Sequence, residues 1–362
     1  MLRFVRRPAA VALGLVAALG AGCDDAPPPV PDPGPPVPET TEPPAPEPPP
    51  SACVPGPVLD FGFYAFFESV SHVADPNPDA AGFFEHRGYE ADLLTALESM
   101  DGAGLRFRRT PVAEWPDIWL LPSTPDFDVA GGGITILRER RRNRSGVEVV
   151  AFTGGHIVFR QSLLVRSADA RRLGTYEDLT DDVRVGVLVG TTGESRLLVL
   201  AGLADEQGIL EPGIRIKLAD GGAVMTDGTA LYMIAPSGAS RSLERRVRLV
   251  PPSRDAPQVV FFAGDTTESE QARALRAREV DALARGEIGN RTLAQAAGGA
   301  FVLTALDDAV EYGGFTVDVD EPELLACLDE TLDWLTDDRA IGYADWLANP
   351  NVFAERAAAW RR

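Results

Sequence analysis

The stretch "GGGITILRER" at 131–140 places three glycines a few residues before Arg138. Glycines at a strand end mark a tight turn or a close approach to the main chain. Arginine carries the planar fork that grips a carboxylate or phosphate through two parallel hydrogen bonds. The pair therefore reads as an anion site. The plainer alternative is a turn leading into a basic, solvated helix, because Arg138, Arg140, Arg141, Arg142 and Arg144 cannot all serve a ligand. A second stretch, "VGVLVGTTGES", reads as a strand, a glycine turn at Gly190–Gly193 and a helix start. Unpaired N–H groups and the positive dipole end make such a start a natural anion site. Helix capping by Thr191 or Thr192 is the alternative and is compatible with binding. No lysine follows as in G-K-[ST], so a nucleotide-phosphate cradle is disfavoured. His72, His86 and His156 show no metal-ligand spacing, and Ala80 stands where a calcium loop in "DPNPDAAGFFEH" would need glycine, so no metal and no cofactor is expected.

These residues need elements to hold them. From residue 57 the pattern alternates strands with helices: "VLDFGFYAFF" reads as a buried strand, and "GYEADLLTALESM" as a helix with Leu93, Leu94, Leu97 and Met100 on one face. "LRFRRTPV", "FDVAGG", "VEVVAFTG", "RQSLLVRS", "VRVGVLVG", "VVFFAG" and "VDALARG" read as strands, "WPDIWLLPS" as a short helix, and 268–278 as a helix. The C-terminal part carries helices in "EPELLACLDETLDWLTD" and "YADWLANPNVFAERAAAW". Strands separated by helical stretches indicate parallel α/β sheets. Residues 211–257 are poorer in periodicity and form an elaboration in which "ADGGAVMTDG" resembles a hairpin.

The chain opens with a basic segment (Arg3, Arg6, Arg7), an apolar run over 9–19 and small residues before Cys23. The run is too short to span a bilayer, so 1–22 reads as an export signal. Small residues before a cysteine resemble the bacterial lipobox, which implies lipidation of Cys23, although Gly20 departs from its usual third-before position. Residues 23–56 would be the lipidated cysteine and a stalk, with 14 prolines between Pro27 and Pro50. As polyproline II that stalk reaches up to roughly 70 Å. The formal charge of −20, from 34 basic and 54 acidic residues, argues against nucleic acid, which needs a basic stripe.

The pieces "HRGYEADLLTAL", "DFDVAGGGITILRERR", "VVAFTGGHIVFRQSLLVR", "YEDLTDDVRVGVLVGTTGES", "VDALARGE" and "VEYGGFTV", in that order, resemble family-3 extracellular solute-binding proteins, the amino-acid-type receptors of ABC importers. The resemblance covers roughly 57–350. It implies a two-lobed periplasmic-binding-protein-like α/β fold (type 2), each lobe a mixed, mostly parallel sheet flanked by helices, joined by two hinge strands. Lobe one would take 57–163 and 310–362, and lobe two 164–309. It further implies that Gly131 offers a carbonyl to a ligand ammonium, that Arg138 forks the ligand carboxylate, and that Thr191 and Thr192 meet the same carboxylate. Gly133 stands where the family carries a hydroxyl residue. Tyr64 matches the family's aromatic platform, Phe66 replaces a proline after it, and Trp115 is a candidate further wall. Gly286 occupies the family's ammonium-binding aspartate position, so Glu287, one residue on, is the candidate ammonium partner; Asp281 and Asp92 are read as structural. His156 falls near the cleft rim. Cys53 and Cys327 both fall in lobe one and would form a disulfide.

The expectation is a monomeric, lipid-anchored, extracytoplasmic receptor that captures an amino acid or analogue and delivers it to a membrane ABC permease, on the inner-membrane periplasmic face in a two-membrane envelope. Two alternatives carry different features. An enzyme similar to periplasmic cyclohexadienyl dehydratases would use a cleft carboxylate such as Glu287 as general acid, but the sequence offers no activated nucleophile, histidine–carboxylate pair or metal set. A sensory subunit would present the same cleft to a signalling partner.

Overall fold

The computed structural model describes Cys53 and residues 56–360. Cys23, the signal and the stalk lie outside the described residues.

Five strands make the first sheet, in the spatial order Phe107–Val112, Leu59–Tyr64, Val129–Gly131, Thr316–Asp318, Val150–Phe152. The first three run parallel and the last two pair antiparallel. Leu59–Tyr64 sits inside the sheet, so Phe61 and Phe63 are wholly buried against the helix Tyr89–Ser99. That helix buries Leu93, Leu94 and Leu97, the i, i+1, i+4 face expected of an amphipathic helix, and Met100 is buried just past its end. The helices Pro322–Thr336 and Val352–Ala359 complete the layer through Leu328, Leu332 and Phe353. "YADWLANPNVFAERAAAW" divides into Tyr343–Ala348 and Val352–Ala359 around Pro350, which cannot continue a helix. A disulfide joins Cys53 to Cys327, tying the start of the described chain to the helix Pro322–Thr336.

The second sheet has eight strands, in the order Ala223–Met225, Arg215–Leu218, Arg246–Val250, Gln258–Phe262, Arg184–Leu188, Ala282–Gly286, Gln161–Arg166, Phe301–Leu306. The middle three are parallel and all other pairings are antiparallel. In the second sheet parallel pairing occupies the interior, where both faces can be covered; in the first it extends to the edge strand Phe107–Val112. The irregular segment 211–257 supplies the three strands at one side of this sheet, and Arg215–Leu218 and Ala223–Met225 form the hairpin read from the sequence. Helices Thr192–Leu200, Glu268–Arg276 and Glu287–Ala296 flank this sheet.

The chain passes between the sheets twice. Strand Ile157–Phe159 leads out of the first, strand Glu311–Gly313 leads back, and the two pair antiparallel as a short ribbon. That ribbon is the hinge.

Candidate functional site

The three glycines are explained by their surroundings. A Cβ on Gly131 would stand 2.6 Å from the Phe61 ring and 2.9 Å from Phe315. Gly132 and Gly133 take φ of +128° and +74°, which disfavour L side chains, and a Cβ on Gly132 would overlap Tyr64. Their N–H groups donate to the buried Glu90 carboxylate, at 2.7 Å from Gly132 and 2.9 Å from Gly133. His156 Nε2 lies 3.2 Å from the same carboxylate. Glu90 therefore fixes the turn from the helix Tyr89–Ser99, a role that no spacing in the sequence reveals.

The turn aims the chain into a cavity between the two sheets, with about 620 Å³ of space not filled by atoms, part of it open to solvent. Tyr64, Phe66, Trp115, Thr191 and Thr192 all line it. Tyr64 donates its hydroxyl to the Gly264 carbonyl at 3.1 Å, and burial pushes the phenol pKa up. Trp115 donates Nε1 to the Gly190 carbonyl at 2.9 Å. Thr191 caps the helix Thr192–Leu200, accepting from the Glu194 N–H at 3.2 Å, and still faces the cavity. Thr192 accepts from Gln161 Nε2 at 2.9 Å.

Three other candidates fall elsewhere. Arg138 is exposed and does not line the cavity. A single 3-10 turn, Glu139–Arg141, follows it and turns Arg140 inward instead. Arg140 is wholly buried, donating to the carbonyls of Pro236 (3.1 and 3.2 Å), Gly190 (3.1 Å) and Thr135 (3.3 Å). Its guanidinium lies 4.4 Å from the centre of the Trp119 ring, and burial lowers its pKa to about 10. Gly131 is paired within the first sheet and buried under aromatic rings, so Gly133 lines the cavity in its place. Glu287 pairs with Arg291 at i+4 and lines a separate depression beside Tyr312 and Tyr343. It is the first residue of the helix Glu287–Ala296 and does not line the cavity. His156 lines that same depression, stacks on Tyr89 and packs at a tilt against Phe315.

The cleft's charge comes from Arg285, which the sequence reading missed although it sits one residue before Gly286. It lines the cavity, lies 6.0 Å from the centre of the Phe67 ring, and pairs through Nη2 with Glu268. Burial outweighs that pairing and raises the Glu268 carboxyl to about 7. Arg285 Nη1 and Gln161 Oε1 are buried without a hydrogen-bond partner. The Glu194 carboxylate holds the loop opposite, accepting from the Gly190 N–H at 2.7 Å and from Arg246 at 2.7 and 2.8 Å. Among the described residues, no group of three or more His, Cys, Asp or Glu side chains gathers as a metal site.

No protein-family model matches the sequence, and no curated protein matches it. Solved structures do. The holo form of ArgBP from T. maritima is 19% identical, with 80% of this chain and 96% of that chain covered and a TM-score of 0.51. An amino acid ABC transporter substrate-binding protein from Streptococcus pneumoniae, bound to L-arginine, is 13% identical over 84% and 96%, with a TM-score of 0.53. An ancestral amino acid-binding protein, described as a precursor of cyclohexadienyl dehydratase, is 18% identical over 84% and 96%, with a TM-score of 0.51. At these identities the likeness establishes the fold. It is the two-lobed periplasmic-binding-protein-like fold (type 2), with two mixed sheets and a two-stranded hinge.

Proposed function

We propose that the protein is the extracytoplasmic substrate-binding receptor of an ABC importer, capturing an amino acid or close analogue between its lobes. One observation carries the reading: an aromatic cavity at the lobe junction holds a buried donor, Arg285 Nη1, and a buried acceptor, Gln161 Oε1, with no partner inside the protein. Unpaired buried polar groups are costly, and a ligand that pairs with both removes the penalty. The cleft is held between lobes by Tyr64 to Gly264, Trp115 to Gly190 and Arg140 to Pro236, contacts that a hinged closure would make. The lobes are assigned as 57–163 with 310–362, and 164–309. Arg285, Gln161, Thr192 and Thr191 serve as polar ligand groups, with Tyr64, Phe66 and Trp115 as walls. Glu287, the example of an acid for the dehydratase alternative, pairs with Arg291 and does not line the cavity.

The exported chain is anchored by lipid on Cys23, with the proline-rich segment as a tether, and works as a monomer beside a membrane permease. Cys23→Ser is expected to release it from membranes with ligand affinity unchanged; a variant that still pellets with membranes in high salt contradicts the anchor. The receptor itself is tested by a thermal-shift screen of amino acids, amines and organic acids. A ligand at 100 times its dissociation constant adds about 2.7 kcal/mol, a visible rise in Tm. No shift with any compound overturns the receptor reading.

A further inference from the structure

The cavity's lining carries five aromatic rings (Tyr64, Phe66, Phe67, Trp115, Phe159) and one cation, Arg285, but no carboxylate. Carboxylates that pack just behind the wall are held by protein groups. Glu90 takes Gly132, Gly133 and His156; Glu194 takes Gly190 and Arg246. Glu311 Oε2 accepts from Gln161 Nε2 at 3.1 Å and Thr135 Oγ1 at 3.4 Å. Glu268 pairs with Arg285, and its second oxygen, buried without a partner, belongs to a residue outside the lining. A ligand ammonium would therefore lie beside the Arg285 guanidinium with no carboxylate in the lining to pair with directly, which is unfavourable.

The remaining polar groups define what does fit. Arg285 Nη1 needs an acceptor, and a charged one makes the strongest bond. Gln161 is oriented by Glu311, which can only accept, so its amide nitrogen faces Glu311 and its Oε1 is left needing a donor. A neutral hydroxyl supplies that donor without adding positive charge. Building on the receptor reading above, we propose that the cleft is built for a 2-hydroxy carboxylate with an aromatic body, in preference to the corresponding free amino acid. The carboxylate bonds Arg285, the hydroxyl bonds Gln161 Oε1, and the ring packs among Tyr64, Phe67 and Trp115.

Calorimetric titration of the purified protein with 3-phenyllactate, L-phenylalanine and phenethylamine tests this. Phenyllactate is expected to bind at least tenfold tighter than phenylalanine, and phenethylamine not at all. Arg285→Gln should weaken phenyllactate by on the order of a hundredfold, as for loss of a buried charged hydrogen bond. Gly286→Asp provides a test independent of that pair. Gly286 lines the cavity, a Cβ there meets open space, and aspartate suits its position as helix N-cap. The added carboxylate should raise phenylalanine affinity at least tenfold and lower that of phenyllactate. Phenylalanine binding more tightly than phenyllactate to the unaltered protein overturns the inference. So does silence of all three probes while other amino acids bind, which leaves the receptor standing; silence of every amino acid, amine and organic acid overturns both.

Discussion

Replacing Arg140 with alanine should destabilise the protein by about 2–4 kcal/mol, whereas the same change at Arg138 should cost under about 0.5 kcal/mol. The guanidinium of Arg140 donates to three carbonyls and lies against the Trp119 ring. A hydrogen bond from a charged donor contributes roughly 1.5–3 kcal/mol, so three give a gross term well above the net figure. The cost of burying the unpaired charge, several kcal/mol, offsets much of it. Truncation leaves the Pro236 and Thr135 carbonyls without this donor and opens a void between Trp115 and Trp119, whereas Gly190 keeps Trp115 Nε1. Lysine should recover only part of the loss, since a point ammonium cannot span carbonyls on both lobes while stacking on an indole. Urea unfolding of the ligand-free protein, followed by tryptophan fluorescence, measures all three variants. Equal and small losses at 138 and 140 would refute the placement of Arg140 as the interlobe cation.

Three further outcomes follow from local geometry. Glu268 has its pKa raised to about 7 by burial, so the folded state holds a proton that the unfolded chain releases near 4.5. Stability should therefore fall as pH rises from about 4.5 through 7, by at most about 3 kcal/mol; Glu268→Gln should flatten that slope in denaturation curves, and an unchanged slope would assign it to other groups. Gly132→Ala should cost about 2–4 kcal/mol, from φ of +128° and overlap with Tyr64, whereas Gly286→Ala, which meets open space, should stay within about 0.5 kcal/mol. Similar melting shifts for the two would contradict the packing of the turn. Removing the Cys53–Cys327 disulfide by paired serines should cost about 2–4 kcal/mol, read from urea midpoints against the oxidised protein. An unchanged midpoint would mean that the bridge does not constrain the unfolded chain.

Long, buried strands and amphipathic helices were readable because burial leaves a periodic trace, as Phe61 and Phe63 or Leu93, Leu94 and Leu97 show. Phe301–Leu306, an edge strand with mixed burial, carries no such trace and was missed, and the break after Tyr64 that separates Phe66–Phe67 leaves none either, so 58–67 was read as one strand. Thr191, Thr192 and Tyr64 fall on the cavity wall because the end of a strand and the start of a helix fix where adjacent side chains go. Arg138 was misplaced because five arginines lie within seven residues, and which one turns inward is set by a single turn packed on Trp115 and Trp119. Arg285 was passed over for Glu287 because attention fell on a missing carboxylate, not on the cation beside it. Glu90 reads as an ordinary first-turn acid until the glycine N–H groups, more than forty residues away, are folded against it.

A crystal structure of the protein with the tightest-binding compound of the screen tests the central claim most directly. The prediction is one ligand between the sheets, its carboxylate on Arg285 Nη1, a donor on Gln161 Oε1, and its body against Tyr64 and Trp115. A saturating ligand found outside this cavity, with the lobes still joined through Trp115 and Gly190, would contradict it.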